Sequence, residues 1–235
     1  MRPGIVLEPA PIARNWFDGM PDDLGMFKND VLGDCTCADE YHMIQTLTFN
    51  ATGKMQTEPD SNVELMYELA CGYDPKQGGE GQGGVMQDVL TFLLNTGAPV
   101  GPDGTGRHKL AAFFEIDPRR QMDIQYAINA CGGVKIGMNM PRFIMEEMPD
   151  IWDVRNGDDG GIVGGHDVFH GGYDWDITNF ITWGGKKKMT WEFFAKYVDE
   201  AYAPVDPDWI TAKGMSPVGL TLGDWEAQMR ALKQG

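Results

Sequence analysis

The order of periodicities along this 235-residue chain predicts an α+β fold in two lobes, the first helical, the second antiparallel and strand-rich. Three observations carry it. Apolar residues recur at helical spacing in the segments between Cys35 and Cys131, period-two alternation begins abruptly at Val134, and Gly132-Gly133 separates the two regimes. On this reading residues 1–27 form an extended arm, 28–133 the helical lobe, 134–204 the strand-rich lobe and 205–235 a tail.

Four prolines (3, 9, 11 and 21) and the pair Trp16-Phe17, without sustained periodicity, make the first segment an arm laid over a body elsewhere in the fold. Gly33 and Asp34 make a turn, and Asp34 is a good N-cap. Gly and Pro are then absent until Gly53, so a first helix runs from Cys35 to about Asn50. Asp60 or Ser61 caps a second helix through Val63, Leu65, Met66 and Leu69. Gly78, Gly79, Gly81, Gly83 and Gly84 form a loop without the Lys-Ser/Thr of a phosphate-binding loop, so it reads as solvent-exposed or edging a substrate. A third helix covers Asp88 to about Asn95. Residues 98 to 115 mix turn residues with the apolar run Leu110 to Phe114, and Asp117-Pro118 starts a fourth helix buried through Ile124, Ala127 and Ile128.

Val134 to Met140 alternates and reads as a strand. Gly161 to Val163, His166 to His170 and Thr178 to Trp183 read as shorter ones, separated by Gly and Asp turns. Thr190 to Tyr202 reads as a late helix with Trp191, Phe194, Tyr197 and Val198 on one side. Pro204 and Pro207 then release the chain into a tail ending in an amphipathic helix, Leu222 to Leu232.

A formal charge of -16 argues against nucleic-acid and anionic-membrane partners. No window approaches 18 apolar residues, and Met-Arg-Pro-Gly-Ile lacks the apolar core of a signal peptide, so a soluble chain kept in a reducing cytosol is expected. Cysteines 35, 37, 71 and 131 are too few and too irregular for a disulfide framework. With only a CxC and no second Cys/His pair, neither a metal nor a cofactor is expected.

The chemistry centres on Cys35. At a helix start, free N–H groups and the positive end of the dipole favour the thiolate, the nucleophilic form. Four histidines compete to be its base. His42 lies seven residues along the same helix, about 10 Å away, and reads as an interior side chain. His108 sits in a polar run and reads as a solvated loop residue. His166 follows Gly164-Gly165, which leaves room for a substrate or a second backbone to approach, whereas His170 lies about 13 Å further along the strand. His166 is therefore the candidate base.

These residues resemble the papain-like cysteine peptidase fold, and more narrowly the papain-like proteins of unassigned substrate in bacteriophages, prophages and some bacteria. The matching pieces are NDVLGDCTCA (29–38), QDVLTFLLNTG (87–97), AINACGGVKIGMNMP (127–141), GGHDVFHGGYD (164–174) and ITWGGKKKMTWEFFAKYVDEAYA (181–203). The 131 positions from Cys35 to His166 suit papain-type enzymes. The resemblance implies Cys35 as nucleophile, His166 as general base and Asn29 as an oxyanion-hole amide. It also implies Trp183 as the shield of the base, with Gly33, Asp34, Gly165 and Trp183 edging the substrate cleft. The family's orienting Asn falls at Ile181, so Asn179, on the same strand face, is the expected substitute. Asp167 replaces a small apolar residue and is expected to raise the imidazole pKa or compete for its proton. Cys37 as nucleophile would lose the oxyanion amide.

Two functions follow. One is a cysteine hydrolase cleaving a peptide or isopeptide bond in a peptide or protein substrate through an acyl-thioester. The other is a non-catalytic virion component (decoration, neck or tail-associated), bound to other virion proteins through the N-terminal arm and C-terminal tail.

Overall fold

The computed structural model describes residues 9 to 233. The first half of the chain contains β1 (Arg14–Asn15), α1 (Cys35–Thr52), α2 (Asp60–Cys71) and α3 (Met86–Asn95). Three short strands follow, β2 (Ala98–Val100), β3 (Gly106–His108) and β4 (Ala112–Glu115), then α4 (Gln121–Cys131). The second half contains β5 (Val134–Pro141), α5 (Arg142–Glu147), β6 (Ile151–Trp152), β7 (Ile162–Tyr173), β8 (Ile177–Thr182) and β9 (Gly185–Thr190). It ends with α6 (Trp191–Tyr197), β10 (Val198–Val205) and α7 (Leu222–Lys233).

Helix α1 is the axis of the molecule. Its residues from Thr36 to Thr48 are all buried, which is why it carries no one-sided apolar stripe. Gly53 closes it in the left-handed region (φ 75°), donating to the Phe49 carbonyl. Asp34 holds the cap position by its main chain alone: its carbonyl accepts from Cys37 at 2.7 Å and Ala38 at 2.9 Å, and its side chain makes no capping bond. Helix α2 also starts without a side-chain cap, following Pro59, so Asp60 is its first residue rather than its cap.

The main sheet runs β4-β10-β5-β7-β8-β9-β6, with β1 against β7. Phe169 faces Ile181 and His170 faces Phe180, so Phe180 and Thr182 share a sheet face with His166 and His170. Lys135 pairs with Phe169 and Gly137 with Asp167, which puts Lys135 and Asp167 on the other face, where Lys135 meets Asp39 of α1. Phe194 of α6 packs edge-on against His170. Covered on both sides, β5 is buried throughout except at Asn139.

Three sequence expectations change here. The strands expected at 161–163 and 166–170 are one continuous strand, β7. The late helix ends at Tyr197, and the residues beyond it form β10, inserted between β4 and β5 because the free edge of β5 needs a hydrogen-bonding partner. The described parts of the arm, from residue 9, and of the tail, to residue 233, are folded onto their own chain; the arm's first eight residues lie outside the described ones. Trp16 Nε1 donates to the Ile128 carbonyl at 2.8 Å and its ring meets Trp209 edge-on, while Trp209 Nε1 donates to the Ala130 carbonyl at 2.8 Å. Trp225 is buried against Cys131. Among the described residues no helix is long and apolar enough to cross a membrane.

Candidate active site

Cys35, the first residue of α1, and His166 of β7 line one cleft of about 360 Å³. Gly33 and the segment Gln82 to Gly84 also line it, as do Gly137 to Asn139 of β5, Gly165 and Asp167 of β7, and Asp199 and Glu200 of β10. The Gly-rich loop thus edges the cleft. It is tied to the turn before Cys35 by the Gly33 N–H, which donates to the Glu80 carbonyl at 2.7 Å, and by the Tyr67 hydroxyl, which accepts from Gly83 at 2.9 Å. A Cβ at Gly84 would stand 2.4 Å from Thr36 Oγ1, so no larger residue fits there. A larger hollow, about 630 Å³ beside β4 and β10, shares Asp199 and Glu200 with the cleft but has neither thiol nor imidazole in its lining.

The His166 ring is held from two directions. Its Nε2 lies 2.7 Å from Thr182 Oγ1, and Trp183 stacks on it with centroids 4.9 Å apart and planes at 22°. Trp183 and Gly184 form the two-residue turn between the paired Thr182 and Gly185, at φ 47° and 70°. A bulky side chain at positive φ is rare and costs about 1–2 kcal/mol, and here the strained turn aims the indole over the imidazole. Asn179 is not the ring's partner. It faces away from Thr182 on β8, pairs with Gly172, and lines a separate hollow with Arg14 and Asn15. The expectation failed because it carried strand alternation through Trp183, a turn residue whose direction says nothing about the face of β8.

No family model matches this sequence, and no curated protein matches it. Solved structures do. The chain is similar to xylellain, a cysteine protease from Xylella fastidiosa, with TM-score 0.60 and 12% identity over 84% of this chain and 87% of that one. It is also similar to the Carica candamarcensis cysteine protease CMS1MS2, solved in complex with E-64, with TM-score 0.58 and 14% identity over 83% of this chain and 99% of that one. This is a papain-like cysteine protease fold.

Within the papain-like frame, the electrostatics depart from the sequence expectation. Burial pushes the Cys35 thiol up to about 12, and the Asp167 and Asp34 carboxyls add to the rise, outweighing hydrogen bonds from the Asp167 and Thr36 backbones. Burial alone pushes His166 down to about 4. Cys35 therefore rests as a thiol and His166 as a neutral imidazole, because desolvation at this helix start exceeds the pull of its dipole. Asp167 does not load the imidazole. It lies on the face of Lys135, and burial together with neighbouring Asp39 holds its carboxyl well above the usual range.

Asn29 is committed elsewhere. Its Nδ2 donates to Asp34 Oδ1 at 3.0 Å, and it is not among the cleft-lining residues. Asp34, buried behind the cleft wall, is pushed up to about 7 by burial, against the pull of that bond. Gly33 and Gly165 edge the cleft; Asp34 and Trp183 stand behind it. Cys37 is fully buried and outside the cleft lining.

A second charged cluster lies along α1, and sequence reasoning missed it. Lys135 is fully buried, its Nζ 2.8 Å from Asp39 and 3.4 Å from Glu40. Burial pushes Glu40 up to about 7 against the pull of Lys135. His108, expected to be solvated, is ion-paired at 2.6 Å to Asp206 and 3.3 Å to Asp208. Burial opposes its charge, but the two carboxylates lift it to about 11. Glu40, His108 and Asp206 bring ligand atoms within 4.8 Å of one another, a donor set a cation would suit, held here by the ion pair. His42 is an interior residue bonded to Gln45, and His170 is buried against Thr178.

Proposed function

We propose that this chain is a papain-like cysteine hydrolase that cleaves an amide bond, peptide or isopeptide, with Cys35 as nucleophile and His166 as base. One observation carries the reading: Cys35 and His166 line the same cleft, in which Thr182 holds Nε2 of the ring and Trp183 stacks on it. The neutral imidazole takes the thiol proton as the sulfur attacks the carbonyl carbon, then passes it to the leaving amine. Water then hydrolyses the thioester. With Asn29 bonded to Asp34, the oxyanion relies on main-chain N–H at the start of α1, that of Cys35 first. Thr182 is the orienting third member, in place of Asn179.

Asp199 and Glu200 put two acidic side chains in the cleft lining, which suits a substrate with Lys or Arg near the scissile bond. The test is turnover of a peptide library, with Cys35→Ala and His166→Ala expected to remove it. Turnover that survives Cys35→Ala, or equal cleavage of anionic and cationic peptides, counts against the respective claim. A non-catalytic reading draws on the un-ionised thiol and the committed Asn29 amide. In the described arm and tail, the large aromatics Trp16, Phe17, Trp209 and Trp225 are buried in the chain itself. E-64, bound by the Carica enzyme, separates the two readings: a catalytic cleft takes it up at Cys35, and an inert one does not.

A further inference from the structure

Beside the cleft, two thiols with no part in the proposed hydrolysis face each other. Cys37 lies fully buried on α1 and Cys71, partly exposed, ends α2; their sulfurs are 4.0 Å apart. We propose that Cys37 and Cys71 form a reversible disulfide, made by exchange with a small-molecule disulfide such as oxidised glutathione. Closure from 4.0 Å to the bonded distance, about 2.05 Å, asks each sulfur to move by about 1 Å, within reach of side-chain rotation.

The two thiols are fitted to different roles. Cys71 is the accessible one, and the hydrogen bond from Cys37 draws its pKa below the ordinary thiol value, as an attacking thiolate requires. Cys37, held protonated by its bond to Cys71 and by burial, is sealed from solvent and placed to resolve. The Cys71 thiolate attacks one sulfur of the small disulfide and expels a small thiolate, leaving a mixed disulfide. Cys37 gives its proton to a small thiolate and its sulfur attacks Cys71 Sγ, expelling the second. Two protein thiols are oxidised to one disulfide, and the small disulfide is reduced to two thiols.

The pair sits against the cleft. A Cβ at Gly84 would fall 2.8 Å from Cys71 Sγ and 2.4 Å from Thr36 Oγ1, and both Gly84 and Thr36 line the cleft. Closing the bond therefore moves atoms in contact with the wall beside Cys35.

The test is peptide mapping of the whole chain after exposure to oxidised glutathione, with remaining thiols blocked by iodoacetamide. A Cys37–Cys71 cross-linked peptide is expected in high yield and is lost on adding dithiothreitol. Cys37→Ser is expected to stop at the mixed disulfide on Cys71, and Cys71→Ser to leave Cys37 unmodified. Cys71 recovered as a free thiol or only as its glutathione adduct in the intact chain, or cross-linked to Cys35 instead, overturns the proposal. The readout is mass, so it stands whether or not the cleft hydrolyses peptides.

Discussion

Replacing Lys135 with Met tests how the buried charge beside the nucleophile helix is balanced. The ammonium sits 2.8 Å from Asp39 and 3.4 Å from Glu40 with all three side chains essentially unexposed. Met keeps most of the stem volume, so the loss is electrostatic rather than a cavity. Removing one partner of a buried pair costs about 3–5 kcal/mol, a large share of the roughly 5–15 kcal/mol that stabilises a domain. The sign with pH follows from Glu40, whose folded pKa is raised from 4.5 to about 7. Stability from a group raised in this way is full below about pH 4.5 and is lost as pH rises through about 7. Lys135 holds that rise in check, so its removal moves the carboxyls further up and makes their ionisation more costly. Urea unfolding followed by tryptophan fluorescence should show a deficit of about 3–5 kcal/mol at pH 8. At pH 5, below the raised Glu40 value of about 7, that carboxyl is protonated, and about 1–2 kcal/mol should remain for the lost hydrogen bonds. A deficit under about 1 kcal/mol at both pH values, or one larger at pH 5, would refute the reasoning.

Thr182→Val removes the Nε2 partner of His166 and should lower kcat/KM about 5- to 150-fold, the equivalent of 1–3 kcal/mol, while Thr182→Ser keeps activity near wild type. Activity should rise with pH through about 4 as His166 becomes a free base, and fall through about 7 as Asp34 ionises near the thiol. Asp34→Asn should abolish the alkaline fall, and a profile identical to wild type would exclude Asp34 as its source. Timed alkylation of the free protein with iodoacetamide should modify Cys71 before Cys35, since Cys71 is drawn below its ordinary pKa and Cys35 is raised to about 12. Cys35 reacting first would mean that the helix start ionises its thiol after all.

What could be read from the chain alone was what neighbouring residues decide. A helix begins at Cys35 because the Gly33-Asp34 turn precedes it, and ends at Gly53 because a left-handed residue is needed there. A strand begins at Val134 because the apolar period changes from helical to two. Those local preferences were enough for an α+β architecture in two lobes; the papain-like expectation rested on the resemblance of the motifs around Cys35 and His166.

Tertiary structure decided whatever depended on a remote partner. β10 is a strand and not the end of a helix because β5 and β4 offer it two edges. Lys135 alternates like a solvent-facing residue, yet it is buried because α1 covers that face with Asp39 and Glu40. Thr182, not Asn179, holds His166 because the register of β7 on β8 sets which residues share a face, and register lies in the pairing rather than in either strand. The same holds for the charge state of the nucleophile. A helix start favours a thiolate, but how deeply this one is desolvated, and which carboxyls stand beside it, was settled only when segments more than a hundred residues apart came together.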